Sequence, residues 1–540
     1  MANQKRSSNN SIVVQSAILA AAQILVRVIG LLYRVPMQRI IGDVGNGYYG
    51  AAYEIYQFIL LLSANGIPTA VALLVARHLA RREYKNVYRI FKGSMIFALI
   101  IGGVVMLFTL FGARWLAVAL FGQDYADVSI ALRILAPTLL ISAVMGVMRG
   151  FFQGKNVMMP TAISQMVEQV FNALISVIAA YFLIVRGPAW GAAGGTLGTC
   201  MGALSGFIFI AIVYYLYKPT FMRLLKKDKS HFHLHSEQVI KMVAVTMAPV
   251  VLSSTVYQIS GIIDTSMFYR IMGGLGYASD VAAELFGNYS GQYKMILNIP
   301  LGITSSIGIA LIPAVTSLIA VGKRREARER IDSIIKLTNL VAIPSCVGLI
   351  VLAEPIMKLL FVINNDVPIR LLQLGAITVI TYSFSTVTIA ILQGMNRMKT
   401  PVINSAISLL IHIVVVYILL QFADMNIYAL IYGNLVFSFA MCALNLFALY
   451  RYVNYRQEVF RSFVLPTLAA VIMGAIAYFI YRVVYYVIHI NLIGIIFAVI
   501  FGVAAYGVIL ILLGGMNEEE LRSMPKGHLL VKFCRKIHIM

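Results

Sequence analysis

Charge is scarce in this chain: only 12% of its 540 residues are Asp, Glu, Lys or Arg, against about 25% in an ordinary soluble domain. Acids are scarcer still, 21 against 43 basic residues, so the formal net charge is +22. With 60% hydrophobic residues and a mean hydropathy of +0.86, a water-soluble fold is excluded. Cysteine is rare too. Cys200, Cys346, Cys442 and Cys534 lie far apart, mostly in apolar segments, with no C-x-x-C pair, which leaves no disulfide framework or zinc-site spacing; they read as small apolar fillers. The cations sit in short loops between apolar runs rather than on a folded basic domain, so nucleic acid is not an expected partner. No aqueous loop pairs two acids, sets a nucleophile beside a base or cradles phosphate with glycines, so no enzyme is expected. Asn364-Asn365-Asp366, the nearest polar cluster, reads as a turn before a helix.

What the chain has in abundance is apolar runs of about 18 residues or more, each long enough to cross a hydrocarbon core of roughly 30 Å. They fall at 12–35, 51–76, 93–113, 128–152, 161–185, 190–217, 238–270, 288–320, 333–353, 369–394, 402–422, 427–450, 462–488 and 491–515. The expected fold is an all-α polytopic membrane protein of about fourteen helices. Met1 to Asn10 is polar and basic, and the run from Ile12 to Ala22 has the cast of a cleavable signal; an uncleaved first helix through Arg27 to Val35 preserves the even helix count and is preferred. Arg77 to Lys92, Lys155, Arg223 to Lys229, Lys323 to Arg330, Arg397 with Lys399, Arg451 to Arg461 and the Lys526 to Lys536 tail alternate along the chain with loops holding Asp124, Asp127, Asp280, Glu284, Asp366 and Asp424. By the positive-inside rule both termini are expected in the cytoplasm of a cell-membrane protein.

A repeat displaced by about 240 residues marks duplicated halves. Asp127-Val128-x-Ile130 leading to Gln153-Gly154 and Pro160 returns as Asp366-Val367-x-Ile369 leading to Gln393-Gly394 and Pro401, and Tyr48-x-Gly50 as Tyr289-x-Gly291. The copies run parallel, giving two pseudo-symmetric six-helix lobes, 12–217 and 238–450, after a cytoplasmic N-terminus at 1–11 and joined by a cytoplasmic linker at 218–237. Two further helices (451–515) and a cytoplasmic tail (516–540) follow. In proteins built from such repeats the substrate path runs between the halves.

Charges inside the apolar helices carry the chemical information, because one at the bilayer centre costs roughly 2.5–3.5 kcal/mol unless it meets a wet cavity or a partner. Arg27 and Arg34 share one face of the first helix, about 10.5 Å apart along its axis, with Arg39 just beyond. Two guanidiniums in line suit a diphosphate, which accepts bidentate hydrogen bonds. Snorkelling accounts for Arg39 and competes as a reading of Arg34, but does not explain Arg27 near mid-helix. Lys294 stands six residues before Pro300, where a broken helix would open a site. Glu54, Glu168 and Asp264 are open between cavity contacts, ion or proton sites and structural pairs. Arg149 and Arg270, near helix ends, are expected to snorkel. His231-x-His233-x-His235 reads as a solvated linker rather than a metal site. No cofactor is expected, and sodium or protons are the candidate coupling ions.

Arg27-x-x-Gly30-x-x-Tyr33-Arg34, Ile41-Gly42-Asp43-x-Gly45-x-Gly47-Tyr48-Tyr49 and Asn65-Gly66-Ile67-Pro68 form one set of motifs. Gln153-Gly154, Ser164-Gln165-x-x-Glu168-Gln169, Ile263-Asp264, Leu311-Ile312-Pro313-Ala314 and Gln393-Gly394 form another. Together, over nearly the whole length, they make a chain that resembles the multidrug/oligosaccharidyl-lipid/polysaccharide exporter superfamily. Its branch of lipid II flippases and stage V sporulation protein B-like polysaccharide biosynthesis proteins is the nearest. That resemblance implies fourteen helices with a MATE-like two-lobed fold and a final helix pair that holds a polyprenyl tail. It implies a cargo linked to undecaprenyl-diphosphate, either lipid II or a polysaccharide repeat unit, flipped by alternating access, with Arg27, Arg34 and Lys294 as its contacts. The expected partners are that substrate and the lipid bilayer, with the protein acting as a monomer. The chain departs from the lipid II flippases in having its first-helix arginines one residue further apart, Leu61 and Leu62 in place of arginines, a tyrosine for the aspartate that opens the second helix, and Asn172 where arginine is frequent. These departures bear more on lipid II than on a lipid-linked sugar. A cation-coupled multidrug antiporter of the same superfold is the alternative, for which a less cationic cavity is expected.

Overall fold

The computed structural model describes residues 2–228, 234–363, 365–395 and 397–516, and within them every regular element is a helix. Packing divides the chain at Gly291 into two compact units. The first holds α1 (Ala2–Leu60), α2 (Ile67–Ala80), α3 (Tyr84–Phe121), α4 (Val128–Gly154), α5 (Met159–Leu183), α6 (Pro188–Lys226), α7 (Ser236–Gly274) and α8 (Ser279–Gly287). The second holds α9 (Lys294–Ala320), α10 (Arg324–Val351), α11 (Ala353–Leu360), α12 (Val367–Gly375), α13 (Thr378–Gly394), α14 (Lys399–Gln421), α15 (Tyr428–Val453), α16 (Leu465–Ile488) and α17 (Asn491–Leu512). By packing, α7 and α8 therefore belong with the first unit.

Among the described residues, ten helical stretches are long and apolar enough to cross a membrane, or eleven if the pair α12 and α13, bent by 44°, is one span. The all-α membrane class stands, whereas the expected count of fourteen exceeds this number. One reason is α1. Its 59 residues would run about 88 Å as one rod, far more than a single crossing of about 30 Å needs. The rod breaks at Gly42 (φ 69°, ψ 177°), a conformation that costs glycine little. A loop was expected from 36 to 50, yet both sides of Gly42 are helical. The glycines serve close packing there: a Cβ on Gly47 would collide with the Ala283 carbonyl and one on Gly287 with that of Asp43, so α1 and α8 meet backbone to backbone.

Further corrections concern helix ends and breaks. α10 starts at Arg324, so Arg325, Arg328 and Arg330 ride on a helix rather than a loop, and α6 extends to Lys226. No break opens at Pro300, because α9 runs through it and Thr304 donates to the Pro300 carbonyl at 3.1 Å. The irregularity is a π-helical stretch, Asn288–Tyr293, immediately before Lys294; such a turn inserts a residue and re-aims the side chains without ending the helix. Similar stretches lie at Leu61–Asn65 and Phe460–Val464.

The repeated motifs occupy corresponding helix ends. Asp127 precedes α4 and Asp366 precedes α12, while Gln153-Gly154 closes α4 and Gln393-Gly394 closes α13. Just beyond, a loop cation covers a tyrosine in each unit, with Lys155 Nζ 3.4 Å from the Tyr217 ring centroid and the Arg397 guanidinium 4.5 Å from that of Tyr452. Burial pushes the Lys155 ammonium down to about 8.

In the first unit the apolar core gathers Phe91, Phe97, Val147, Phe151 and Phe221 from α3, α4 and α6. In the second, Ile331, Ile335, Val387, Ile391 and Leu449 form one cluster, and Leu340, Ile343, Met473 and Leu510 tie α10 to α16 and α17. The linker after α6 docks on the start of α3: Asp228 accepts from the Lys85 N–H at 2.6 Å, and Asn86 and Arg89 hold the N–H and carbonyl of buried Leu234 at 3.1 and 2.9 Å. His231 and His233 lie outside the described residues, while His235 is exposed ahead of α7.

α5 packs on α6 along a small-residue seam, the usual device where lipid removes the hydrophobic drive for helix association. A Cβ at Gly194 would stand 2.6 Å from the Ala179 backbone, at Gly202 2.6 Å from the Glu168 carbonyl oxygen, and at Gly198 inside the Ser176 hydroxyl. We expect Gly198→Leu to destabilise the protein by at least about 1–3 kcal/mol, the usual cost of overpacking. Thermal melting in detergent checks this, with Gly112→Leu, where nothing lies within 4 Å, expected to melt like the native chain.

Candidate functional site

The seam between α5 and α6 fixes the face that α5 turns to α1, and a cationic, tyrosine-lined site forms there within the first unit. Arg34 is half-buried, its guanidinium 5.8 Å from the Tyr53 ring centroid. Tyr49 stacks on Tyr53 at 5.5 Å, and Tyr56 tilts against Tyr53 at 5.6 Å. These rings recur at i, i+4 and i+7 on α1, so one helix face supplies them all. Tyr33 is buried beside Arg34, and its hydroxyl accepts from Asn172 Nδ2 at 3.3 Å. Asn172 is held in turn by Ser176, which donates to its Oδ1 at 2.9 Å and bonds the Gly195 carbonyl at 2.8 Å. Each ring offers an apolar face and a hydroxyl, and the guanidinium offers a planar fork of donors.

At the rim, Glu168 accepts from Arg149 Nη2 at 2.7 Å. The same guanidinium donates to the Ser164 hydroxyl at 2.8 and 3.2 Å, and Ser164 donates to the Gly206 carbonyl at 3.1 Å. The Arg149 side chain is 12% exposed and that of Glu168 30%. This corrects the expectation that Arg149 snorkels. Arg270 is exposed and donates to the carbonyls of Ala119 and Leu120 at the end of α3. For Arg149 a partner within the helix bundle replaces the contact with water that an unpaired charge would need.

The other candidates are dispersed. Arg27 lies two turns before Arg34 on α1 and is exposed. Glu54 presses its carboxylate against Gly261 of α7, where a Cβ would have no room, and Asp264, 3% exposed, lies one turn further along α7. Glu54 and Asp264 both have interaction partners. Lys294, half-buried, opens α9 in the second unit. The side chains of Leu311-Ile312-Pro313-Ala314, with Asn364 and Cys534, lie outside the described residues. Among the described residues no group of three His, Cys, Asp or Glu is placed to hold a metal ion. The tyrosine set and the Arg149 pair escaped the sequence reading: the first had a signal in its helical spacing, whereas the second joins α4 to α5 and has none.

The family described as "Polysaccharide biosynthesis protein" matches residues 12–319, more than half of the chain, and the MatE family matches residues 249–418. "Lipid II flippase MurJ" of Bacillus subtilis (strain 168) is 24% identical over 476 residues, covering 85% of this chain and 86% of that protein. "Stage V sporulation protein B" of the same organism is 26% identical over 412 residues, 74% of this chain and 76% of that one. The solved structure "Lipid II flippase MurJ, inward closed conformation" shares the fold with a TM-score of 0.63 at 16% identity, over 91% of this chain and 98% of that chain. With its row of apolar spans and its paired helix ends, the chain belongs to the polysaccharide biosynthesis protein family, as a multi-pass membrane protein of the multidrug/oligosaccharidyl-lipid/polysaccharide exporter superfamily.

Proposed function

We propose that this protein is a flippase that moves an undecaprenyl-diphosphate-linked cell-wall precursor, lipid II or a polysaccharide repeat unit, across the cytoplasmic membrane by alternating access. The observation that carries the reading is Arg34, a cation half-buried in a membrane-spanning helix and set among tyrosine rings. Its fork binds a phosphate oxygen pair by charge-assisted hydrogen bonds, and tyrosine faces stack on sugar rings. Arg27 extends the positive face for the second phosphate, and Lys294 is the second unit's own candidate anion contact. The prenyl tail stays in lipid against residues 451–515. Both termini face the cytoplasm, and the protein works as a monomer. The name of one relative, a lipid II flippase, supports the same cargo class.

A cation-coupled multidrug antiporter is the second reading, favoured by the MatE match over 249–418. Depleting the protein and reading lipid-linked intermediates by mass spectrometry, with sidedness probed by an impermeant reagent, separates the two. Inward-facing lipid II or another undecaprenyl-diphosphate sugar building up supports the flippase. No accumulation, with redundant flippases also removed, supports drug export.

A further inference from the structure

α14 places His412 thirteen residues after its start at Lys399, about 20 Å along a helix of about 35 Å. The imidazole is fully buried, at 0% exposure. An ionisable group this deep in a span is expensive unless it has a task, and imidazole alone changes charge near neutral pH in its unperturbed state.

The surroundings are built around the ring. On α15, Gly433 faces it, where a Cβ would stand 3.0 Å from Cε1 and 3.1 Å from Nδ1, and Phe437 meets it edge-on at 5.9 Å. Along α14, Asn404, Ser408 and His412 repeat at i, i+4 and i+8, with exposures of 8%, 0% and 0%. Asn404 donates to Asn445 at 2.8 Å, and Asn445 donates to Thr388 at 3.1 Å. Between Asn404 and His412 the buried Ser408 hydroxyl has no hydrogen-bond partner among the described residues. Beside Gly433, Asn434 accepts from the Tyr382 hydroxyl at 2.8 Å, and one turn on Ser438 shares a 2.7 Å hydrogen bond with Thr381. A polar stripe therefore runs inside the second unit from the start of α14 to the imidazole.

α13 and α15, the helices packed on α14, contain no Asp or Glu, and their one charged residue, Arg451, is at the far end of α15. Their titratable groups nearest the stripe are Tyr382, committed to Asn434, and Cys442, whose thiol reaches the Thr381 carbonyl at 3.3 Å. Tyr432 turns away to an apolar groove of about 770 Å³ with Val415 and Leu419. Without a carboxylate on these helices to pair with a permanent imidazolium, a proton on the ring changes the local charge outright and favours any arrangement that hydrates it.

We propose that His412 is a proton-binding site in the second unit that couples transport to proton movement. A ring nitrogen takes one proton from water on one side, imidazole becomes imidazolium with no other bond made or broken, and the same proton leaves when the ring is exposed to the opposite side. The coupling half of this inference rests on the transporter reading; proton binding itself does not.

The test uses the full-length protein in lipid nanodiscs with 15N-labelled histidine, read by NMR from pH 5 to 9. The chain has eight histidines, and the expected result is that one of the titrating imidazole signals vanishes in His412→Gln while the others remain. Flipping of an undecaprenyl-diphosphate sugar by the native protein should change by about tenfold between pH 6 and 8, and by less than about twofold in the variant. His412→Asn serves if the glutamine variant does not fold. A ring that keeps one protonation state throughout, as a purely structural histidine would, overturns the proposal, as does a variant with the native pH profile. Titration at His412 in a protein that flips no lipid would uphold the proton site and sink the proposed cargo instead.

Discussion

Arg34→Ala is expected to slow flipping of an undecaprenyl-diphosphate substrate by about 10- to 150-fold, the equivalent of losing charge-assisted hydrogen bonds of about 1.5–3 kcal/mol. Folding should survive, because the guanidinium lies on the Tyr53 ring rather than in a buried ion pair, and the stack of Tyr49 on Tyr53 does not require it. Arg34→Lys keeps the charge but loses the planar fork, so a partial loss is expected, most visible as weaker substrate binding. Membrane abundance by immunoblot and initial flipping rates in vesicles read the two effects apart. A native rate for the alanine variant would remove the headgroup role assigned to this residue.

The second large effect is on stability. Arg149→Leu strands the Glu168 carboxylate and strips two donors from the Ser164 hydroxyl. Breaking a buried pair from one side costs about 3–5 kcal/mol; because Glu168 keeps 30% of its side-chain surface exposed, the expected loss is nearer about 3 kcal/mol. The double variant Arg149→Leu/Glu168→Leu should regain most of that loss, since no uncompensated charge remains. Thermal melts of the single and double variants give the coupling directly. Flipping by the double variant then decides the role of Glu168: a folded, active protein makes the acid structural, and a folded, inactive one makes it part of the transport cycle.

Much of the fold was legible because a membrane leaves few options. Apolar runs of about 18 residues must be helices when no water can satisfy the backbone, and the repeated Gln-Gly ends at 153–154 and 393–394 close corresponding helices. Where hydropathy failed, the cause was local. Residues 36–50 fall between two apolar runs, yet Gly47 and Gly287 are small so that α1 and α8 can touch. The π-helical stretch before Lys294 leaves no mark on a hydropathy window, whereas Pro300, the residue that signals a break in sequence, lies inside an unbroken α9.

For the site, Arg34 could be singled out because one charge in an apolar span is conspicuous. Its tyrosine surroundings depend on which way α1 faces. The partners of Arg149 and His412 sit on neighbouring helices: Glu168 follows 19 residues later and Gly433 21 residues later in the chain, separations that spell no motif. A lone histidine in an apolar run carries no sequence signal of its own, and the buried polar stripe that marks His412 is visible only in the packing.

The most direct test of the central claim is a reconstituted flipping assay: the purified protein in proteoliposomes, a fluorescent undecaprenyl-diphosphate-linked sugar in one leaflet, and a membrane-impermeant quencher outside. The account predicts protein-dependent crossing of the lipid that Arg34→Ala slows by about one to two orders of magnitude. No crossing of any diphosphate-linked lipid, together with uptake of cationic drugs in exchange for protons or sodium, would contradict it and identify the protein as a multidrug antiporter.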